Sequence, residues 1–504
     1  MSFSSSWRAE GTPLPDDKTY DLILRNVRLV VPRRATLEHS DIGVRNGKIA
    51  TLARGLDSSQ ARKVIDGRGR LAFPGVVDAH MHTGIYSPLE QDSITESRAA
   101  AQGGVTSSLN YFRSGQYYLN RGGRYLELFP EVLEIARGRF HVDYGFHLAP
   151  LDSRQIEEIP QLVEQYGVTS FKIFMFYGAY GLHGASSSQH EFLMIDAKEK
   201  YDIAHFEFVM RGVQQAMQKY PRLRDEISLS LHCETAEIMS AYTKIVQREG
   251  KLKGLRAYSA ARPPHSEGLA IFIAGYLANE TNCLNINLLH LSSRKAVDAA
   301  LQMAEAFPHL NFRREVTIGH LCLDYDSAAG PLAKVNPPIR SREDVEYLWQ
   351  AVQDGKIDWV CSDHACCRHE MKVDAKQPGE IFLAKSGFGG TEYLLPALIT
   401  EGQRRGLTMN RIAELTSANP AQRFGLRSKG NLAPGFDADI VLVETDVSDT
   451  IRARDSKSAQ GYTPFEGIEL SARVATTLLR GEVIYDRGEI IGPPRGQYLH
   501  RPCG

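Results

Sequence analysis

Long apolar runs are missing from this chain of 504 residues. No stretch approaches the roughly 18 consecutive apolar residues that a membrane-spanning helix needs. The opening segment, "MSFSSSWRAEGTPLPDDKTYD", has no apolar core of the kind a secretory leader carries, so the expectation is a soluble, cytoplasmic protein. Charge of one sign is also missing: Lys plus Arg number 59 against 60 Asp plus Glu, a net charge of −1. Nothing in that balance draws the chain to nucleic acid or an anionic membrane, and a small, nearly neutral substrate fits it. Cysteine is scarce, seven in all and odd in number, which suits free thiols in a reducing compartment rather than a disulfide framework. Cys361, Cys366 and Cys367, with His369 nearby, lack the paired Cys-X2-Cys spacing of a thiolate metal site and read as buried thiols. No glycine-rich phosphate fingerprint follows the early strands, which weakens a dinucleotide-binding reading.

What is present divides the chain into three textures. Residues 1–72 contain short alternating strands ("YDLILRNVRLVVP", "DIGVRNGKIATLA") turned by Asn46 and Gly47, and residues 426–504 repeat that texture. The two chain ends are expected to combine into one small β-sandwich domain. Between them, over 73–425, apolar strand-like runs such as "GVTSSLNYF" and "LNINLLHLS" alternate with helix-like stretches such as "SRKAVDAALQMAEAF". Recurring strand and helix imply parallel βα units. Their number favours an α/β fold of the (β/α)8 TIM-type barrel over an open doubly wound sheet.

A barrel collects its chemistry at the C-terminal ends of its strands. There the sequence places His80 and His82 in "FPGVVDAHMHTG", Lys172 in "SFKIFMFYG", His232 in "LHCETAE", His290 in "LLHLSS" and Asp363 in "CSDHACC". Taken singly, each has an ordinary reading: a histidine bonded to a backbone carbonyl, a helix N-cap, an ion-paired core lysine. Taken jointly, their recurrence at strand ends points to a metal site. Asp78, two residues before His80, would project to the same side of an extended strand, and is expected to orient one of the histidines rather than bind metal. Lys172 lies among Phe171, Ile173 and Phe174, where burial lowers an amine's pKa; the neutral amine can take up carbon dioxide as a carbamate, whose two oxygens can bridge two cations. Imidazole with oxygen ligands suits zinc, with manganese, cobalt and iron left open.

With "KVNPPIR", "SANPAQRFGL" and "GNLAPGFDADIVLVE" added, these motifs together resemble the amidohydrolase superfamily over nearly the whole chain, and within it the dihydropyrimidinase and hydantoinase branch. The resemblance implies two divalent ions, most simply zinc, with His80, His82 and Asp363 on one, His232 and His290 on the other, and carboxylated Lys172 as the bridge. It implies a metal-bound hydroxide attacking the carbonyl of a cyclic amide or imide, Asp363 as general base and acid, and Tyr177 stabilising the oxyanion. It also implies a homotetramer, in which the C-terminal "GQYLHRPCG" looks like a tail used between subunits.

The chain departs from that pattern where the substrate sits. The branch binds the ring amide through the backbone of a Ser before the Pro-Pro pair and of an Asn farther on; here those places hold Asn336 and Gly389. Residues 178–208 look longer than the usual connection. Tyr86, Tyr111, Phe112, Phe176 and Tyr180 suggest room for an aryl or bulky apolar substituent. Allantoinase, or a hydrolase of linear amides or carbamates on the same two-metal site, is the alternative. A dihydroorotase is disfavoured because "TGIYSPLEQDS", after His82, holds no Arg for a carboxylate. A non-catalytic relative is disfavoured because every ligand type is present.

Overall fold

The computed structural model describes residues 18–176, 188–326 and 330–503. Eight strands run parallel in sequence order: Val76–His82, Val105–Phe112, Asp143–Leu148, Ser170–Phe174, Ser228–His232, Asn285–Leu288, Asn311–Thr317 and Trp359–Cys361. The chain continues past the last of these into His364–Ala365, which pairs with Met81 and His82 of the first and closes the ring. This is the (β/α)8 barrel the alternating texture predicts.

The intervening helices follow local rules. Arg294–Ala306, for example, starts where the Ser293 hydroxyl accepts the Ala296 N–H. It buries Ala296, Val297, Ala300 and Met303, one stripe at helical spacing. No helix among the described residues is long and apolar enough to cross a membrane.

The second sheet draws on both chain ends. Its order is Glu489–Ile490, Glu482–Asp486, Glu469–Leu479, Ile440–Thr450, Leu71–Pro74, Tyr20–Leu29, Glu38–Arg45, Lys48–Ala53, and Ala61–Asp66 also pairs with Tyr20–Leu29. The join between the ends is antiparallel, Val441 opposite Phe73 and Leu442 opposite Ala72. Leu24, Val27, Ile42, Ala72, Ile440 and Leu478 form its own apolar core.

The C-terminal tail lies along its own barrel: Leu499 N–H donates to Tyr144 O at 2.7 Å, and Cys503 N–H to Gly425 O at 2.9 Å. Arg501 is 1% exposed, with Nη1 on Ser170 Oγ and Nη2 on Phe146 O, both at 2.6 Å. A buried guanidinium needs acceptors, and the strand ends at the barrel floor supply them.

Candidate active site

At the opposite end of the barrel, the ends of the first, fourth and last strands converge. His80 Nε2 lies 2.6 Å from Lys172 Nζ and 2.9 Å from Asp363 Oδ1; His82 Nε2 lies 3.1 and 3.2 Å from the same atoms. His80, His82 and Asp363 each offer a ligand atom within 4.8 Å of the others. His232 and His290 stand beside them, ring centroids 4.3 Å apart, with His290 5.4 Å from His80. All of these residues are buried. Asp363 and His290 take positive φ, 53° and 34°. A non-glycine side chain adopts that left-handed backbone at a cost of roughly 1–3 kcal/mol, and such strain concentrates at functional sites.

Hydrogen bonds fix the ring orientations. His80 Nδ1–H donates to Glu315 Oε1 at 2.8 Å, and Glu315 also accepts from Trp359 Nε1 at 2.8 Å and from the His290 N–H at 3.1 Å. His82 Nδ1 bonds the Tyr118 hydroxyl at 2.8 Å. His232 Nε2–H donates to Glu234 Oε2 at 2.6 Å, and Glu234 is gripped in turn by the buried Arg262. That leaves Nδ1 of His232 and Nδ1 of His290, both fully buried, with no hydrogen-bond partner among the described residues. A buried imidazole nitrogen without a hydrogen bond is costly, and a Lewis acid is a partner that satisfies it. The donor set therefore fits divalent cations.

The electrostatics agree. Burial opposes a charge on His80, yet Asp363 on one side and Glu315 on the other outweigh it and raise its pKa to about 9. Burial and the neighbouring Lys172 push His82 down to about 3. Asp363, although buried, is held well below the carboxylate range by the two histidines. Burial lowers Lys172 to about 8, its Nζ resting 4.5 Å over the Tyr111 ring and 4.4 Å over Phe174. Asp363 and Glu315 thus stabilise positive charge at His80, while burial tunes the Lys172 amine toward its neutral form.

Residues 233–484 match the amidohydrolase family. The chain is 30% identical over 495 residues to the allantoinase of Salmonella choleraesuis (strain SC-B67), spanning 95% of this chain and 99% of that one. It superposes with a TM-score of 0.80 on the dihydropyrimidinase from Brevibacillus agri NCHU1002 (25% identical; 95% and 98% covered). It does so equally on the L-hydantoinase from Arthrobacter aurescens (26%; 95% and 99%). The chain belongs to the amidohydrolase family. Within that family it is a cyclic amidohydrolase of the hydantoinase and allantoinase type, a hydrolase of carbon–nitrogen bonds.

Several residues in this amidohydrolase sit differently from the sequence reading. Asp78 orients no histidine: it accepts from Ser362 N–H, Ser362 Oγ–H and Thr391 Oγ1–H, and so anchors the turn that carries Asp363. The pairing register slips between Asp78 and Met81, a bulge that breaks the expected alternation. Glu315 does the orienting instead. An acid inside the strand "NFRREVT" was its sequence signal, as was Glu234 two residues beyond His232; Arg262 carried none. Among the aromatics, Phe112 packs into the core against Phe146 and Tyr118, whereas Tyr111 and Phe176 line the histidines. Tyr177 and Tyr180 lie outside the described residues. Burial pushes the thiols of Cys361 and Cys366 up, out of thiolate range.

Asn336 is buried, its Oδ1 accepting from the Tyr258 hydroxyl at 2.6 Å. The Gly389 N–H donates to Gln460 Oε1 at 2.5 Å. A Cβ at residue 389 would come within 2.8 Å of the His364 ring, so only glycine fits this close approach.

Proposed function

We propose that this amidohydrolase opens the ring of a cyclic ureide or imide, hydantoin-like or dihydropyrimidine-like, to the corresponding carbamoyl or amido acid. The observation that carries this reading is the pair of orphaned, buried Nδ1 atoms on His232 and His290 beside the converged His80, His82, Lys172 and Asp363. His80, His82 and Asp363 would hold one ion, His232 and His290 the second, with Lys172 as the carboxylated bridge and zinc the natural occupant of such ligands. When bound, two ions supply an activated water near neutral pH and polarise the carbonyl it attacks.

The protein's own groups do the rest. Asp363, kept ionised by His80 and His82, takes the proton from the attacking water and passes it to the leaving ring nitrogen. Glu315, Tyr118 and Glu234 hold the imidazoles in the tautomers that leave a lone pair toward the centre. Tyr177 is assigned to the developing oxyanion by resemblance. Asn336 and Gly389 are assigned to the ring; with the Gly389 N–H engaged by Gln460, its carbonyl is the group left for a ring N–H.

The second reading is allantoinase itself, favoured by the relatives that match over 95% of the chain. A turnover screen of the zinc-loaded protein over hydantoins, dihydropyrimidines, cyclic imides, allantoin and N-acyl amides separates the two. Activity on the open-chain amides alone would sink both. A homotetramer is carried over with the same resemblance, and sedimentation of the purified protein checks the assembly.

A further inference from the structure

Asn336 stands where the branch has a serine, and its surroundings fix which way its amide faces. The Tyr258 hydroxyl is contacted by Arg262 Nη1 at 3.4 Å. A guanidinium has donors only, so the tyrosine oxygen accepts there and its single proton goes to Asn336 Oδ1, at 2.6 Å. The Asn336 Nδ2 donors are thereby turned away from Tyr258 and have no partner among the described residues, on a residue that is 8% exposed.

The same Arg262 grips Glu234, which holds His232. A continuous run of buried side chains therefore links the candidate metal ligand to this amide. The backbone beneath it is pinned: Lys334 Nζ donates to Ala384 O at 2.6 Å, and Lys372 Nζ donates to Lys334 O and Gly387 O at 2.8 and 2.6 Å.

Other donors nearby are engaged. The N–H groups of Gly389, Gly390 and Thr391 go in succession to Gln460 Oε1 and to His364 Nδ1. In a cyclic imide or ureide, the nitrogen released on ring opening is flanked by two carbonyls, one attacked and one not. The second needs a donor, and among the described residues named here the Asn336 amide is left without a partner.

Building on the cyclic-ureide reading, we propose that Asn336 is a specificity-determining residue whose Nδ2–H donates to the carbonyl oxygen flanking the leaving nitrogen, with Tyr258 as the positioning residue that sets its orientation. The site would then prefer rings with a strong acceptor at that position over rings with a weak one.

The test compares kcat/KM for hydantoin and 2-thiohydantoin, whose thiocarbonyl accepts hydrogen bonds poorly, in the zinc-loaded protein. Asn336→Ala is expected to lower the hydantoin value about three- to tenfold, the worth of one neutral hydrogen bond, mainly through KM. The thio substrate should fall less, so the ratio collapses while metal content stays at the wild-type level. Tyr258→Phe should move the ratio the same way but less, because the amide is then free to flip. If Asn336→Ala fails to fold, Asn336→Asp, isosteric but acceptor-only when ionised, should lower the ratio further. An unchanged ratio in active variants overturns the assignment to Asn336 alone. Wild-type protein that turns over neither compound overturns this assignment, and one that opens no ring of the screen above overturns the cyclic-ureide reading as well.

Discussion

The histidines of the first barrel strand and those at the ends of the fifth and sixth are equally sunk in the protein, yet they are held differently. His80 and His82 have both ring nitrogens engaged, toward Glu315 or Tyr118 on one side and toward Lys172 and Asp363 on the other. His232 and His290 each keep a bare Nδ1. One half of the centre is closed on itself through Lys172 and Asp363, and the other half is open. The difference implies unequal affinities: in the first half two imidazoles and the Asp363 carboxylate already converge and would favour a cation there, while the second half offers the two bare nitrogens.

The hardest way to break this comparison is to remove Lys172, the group proposed above to bridge the halves. In the proposed two-ion scheme, Lys172→Ala is expected to lower kcat by at least about a thousandfold, since two ions held together would supply several kcal/mol of charge stabilisation. Metal analysis should find fewer than two ions per chain. Mass spectrometry of the wild-type protein under native conditions should show the added mass of one carbon dioxide, absent from the variant. Two ions and full turnover in Lys172→Ala would end the bridged scheme.

Next in size is Glu315→Gln. This carboxylate receives donors from both halves, His80 Nδ1–H and the His290 N–H, as well as from Trp359. A glutamine presents an N–H of its own to a site made of donors, leaving a buried group unpaired at about 1–3 kcal/mol. The melting temperature should fall, and the affinity of both ions should drop roughly 10- to 100-fold. A variant with wild-type melting would show that Glu315 is not the shared support.

Glu234→Gln sharpens the contrast because Glu234 serves the open half alone. Titrating metal-free protein with zinc should fill one ion much as in wild type and the second roughly 10- to 100-fold more weakly. Equal weakening of both would erase the distinction between the halves.

Much of this centre was legible in the sequence because its parts obey strand arithmetic. Histidines, a lysine and an aspartate at the ends of apolar runs of a (β/α)8 pattern must meet at one face of the barrel. The β-sheet built from both ends was legible for a similar reason, since each end shows alternating strands too short to bury a face alone. What escaped depended on register and tertiary reach. Asp78 was misplaced because a bulge after it moves its carboxylate to Ser362 and Thr391. The seat of the C-terminal tail escaped because nothing local in "GQYLHRPCG" announces that Arg501 finds acceptors on the third and fourth barrel strands. Arg262 is one arginine among many until Glu234 and Tyr258 are seen around it.

The mildest probe acts on the closed half. Tyr118→Phe removes only the hydroxyl that engages His82 Nδ1, keeping the ring that packs edge-on against Tyr111 and Phe112. His82 is then steered by its contacts at Nε2 alone, and its Nδ1 joins those of His232 and His290 in having no partner. One neutral hydrogen bond is worth about 0.5–1.5 kcal/mol, so zinc affinity at the first-filled position should weaken about three- to tenfold with little change in melting temperature. If the closed half owes its strength to Lys172 and Asp363 rather than to the outer hydrogen bonds, that loss stays small and the first ion still binds before the second. A reversal of filling order in this variant would mean that the outer bonds, and not the converged ligand atoms, make the two halves different.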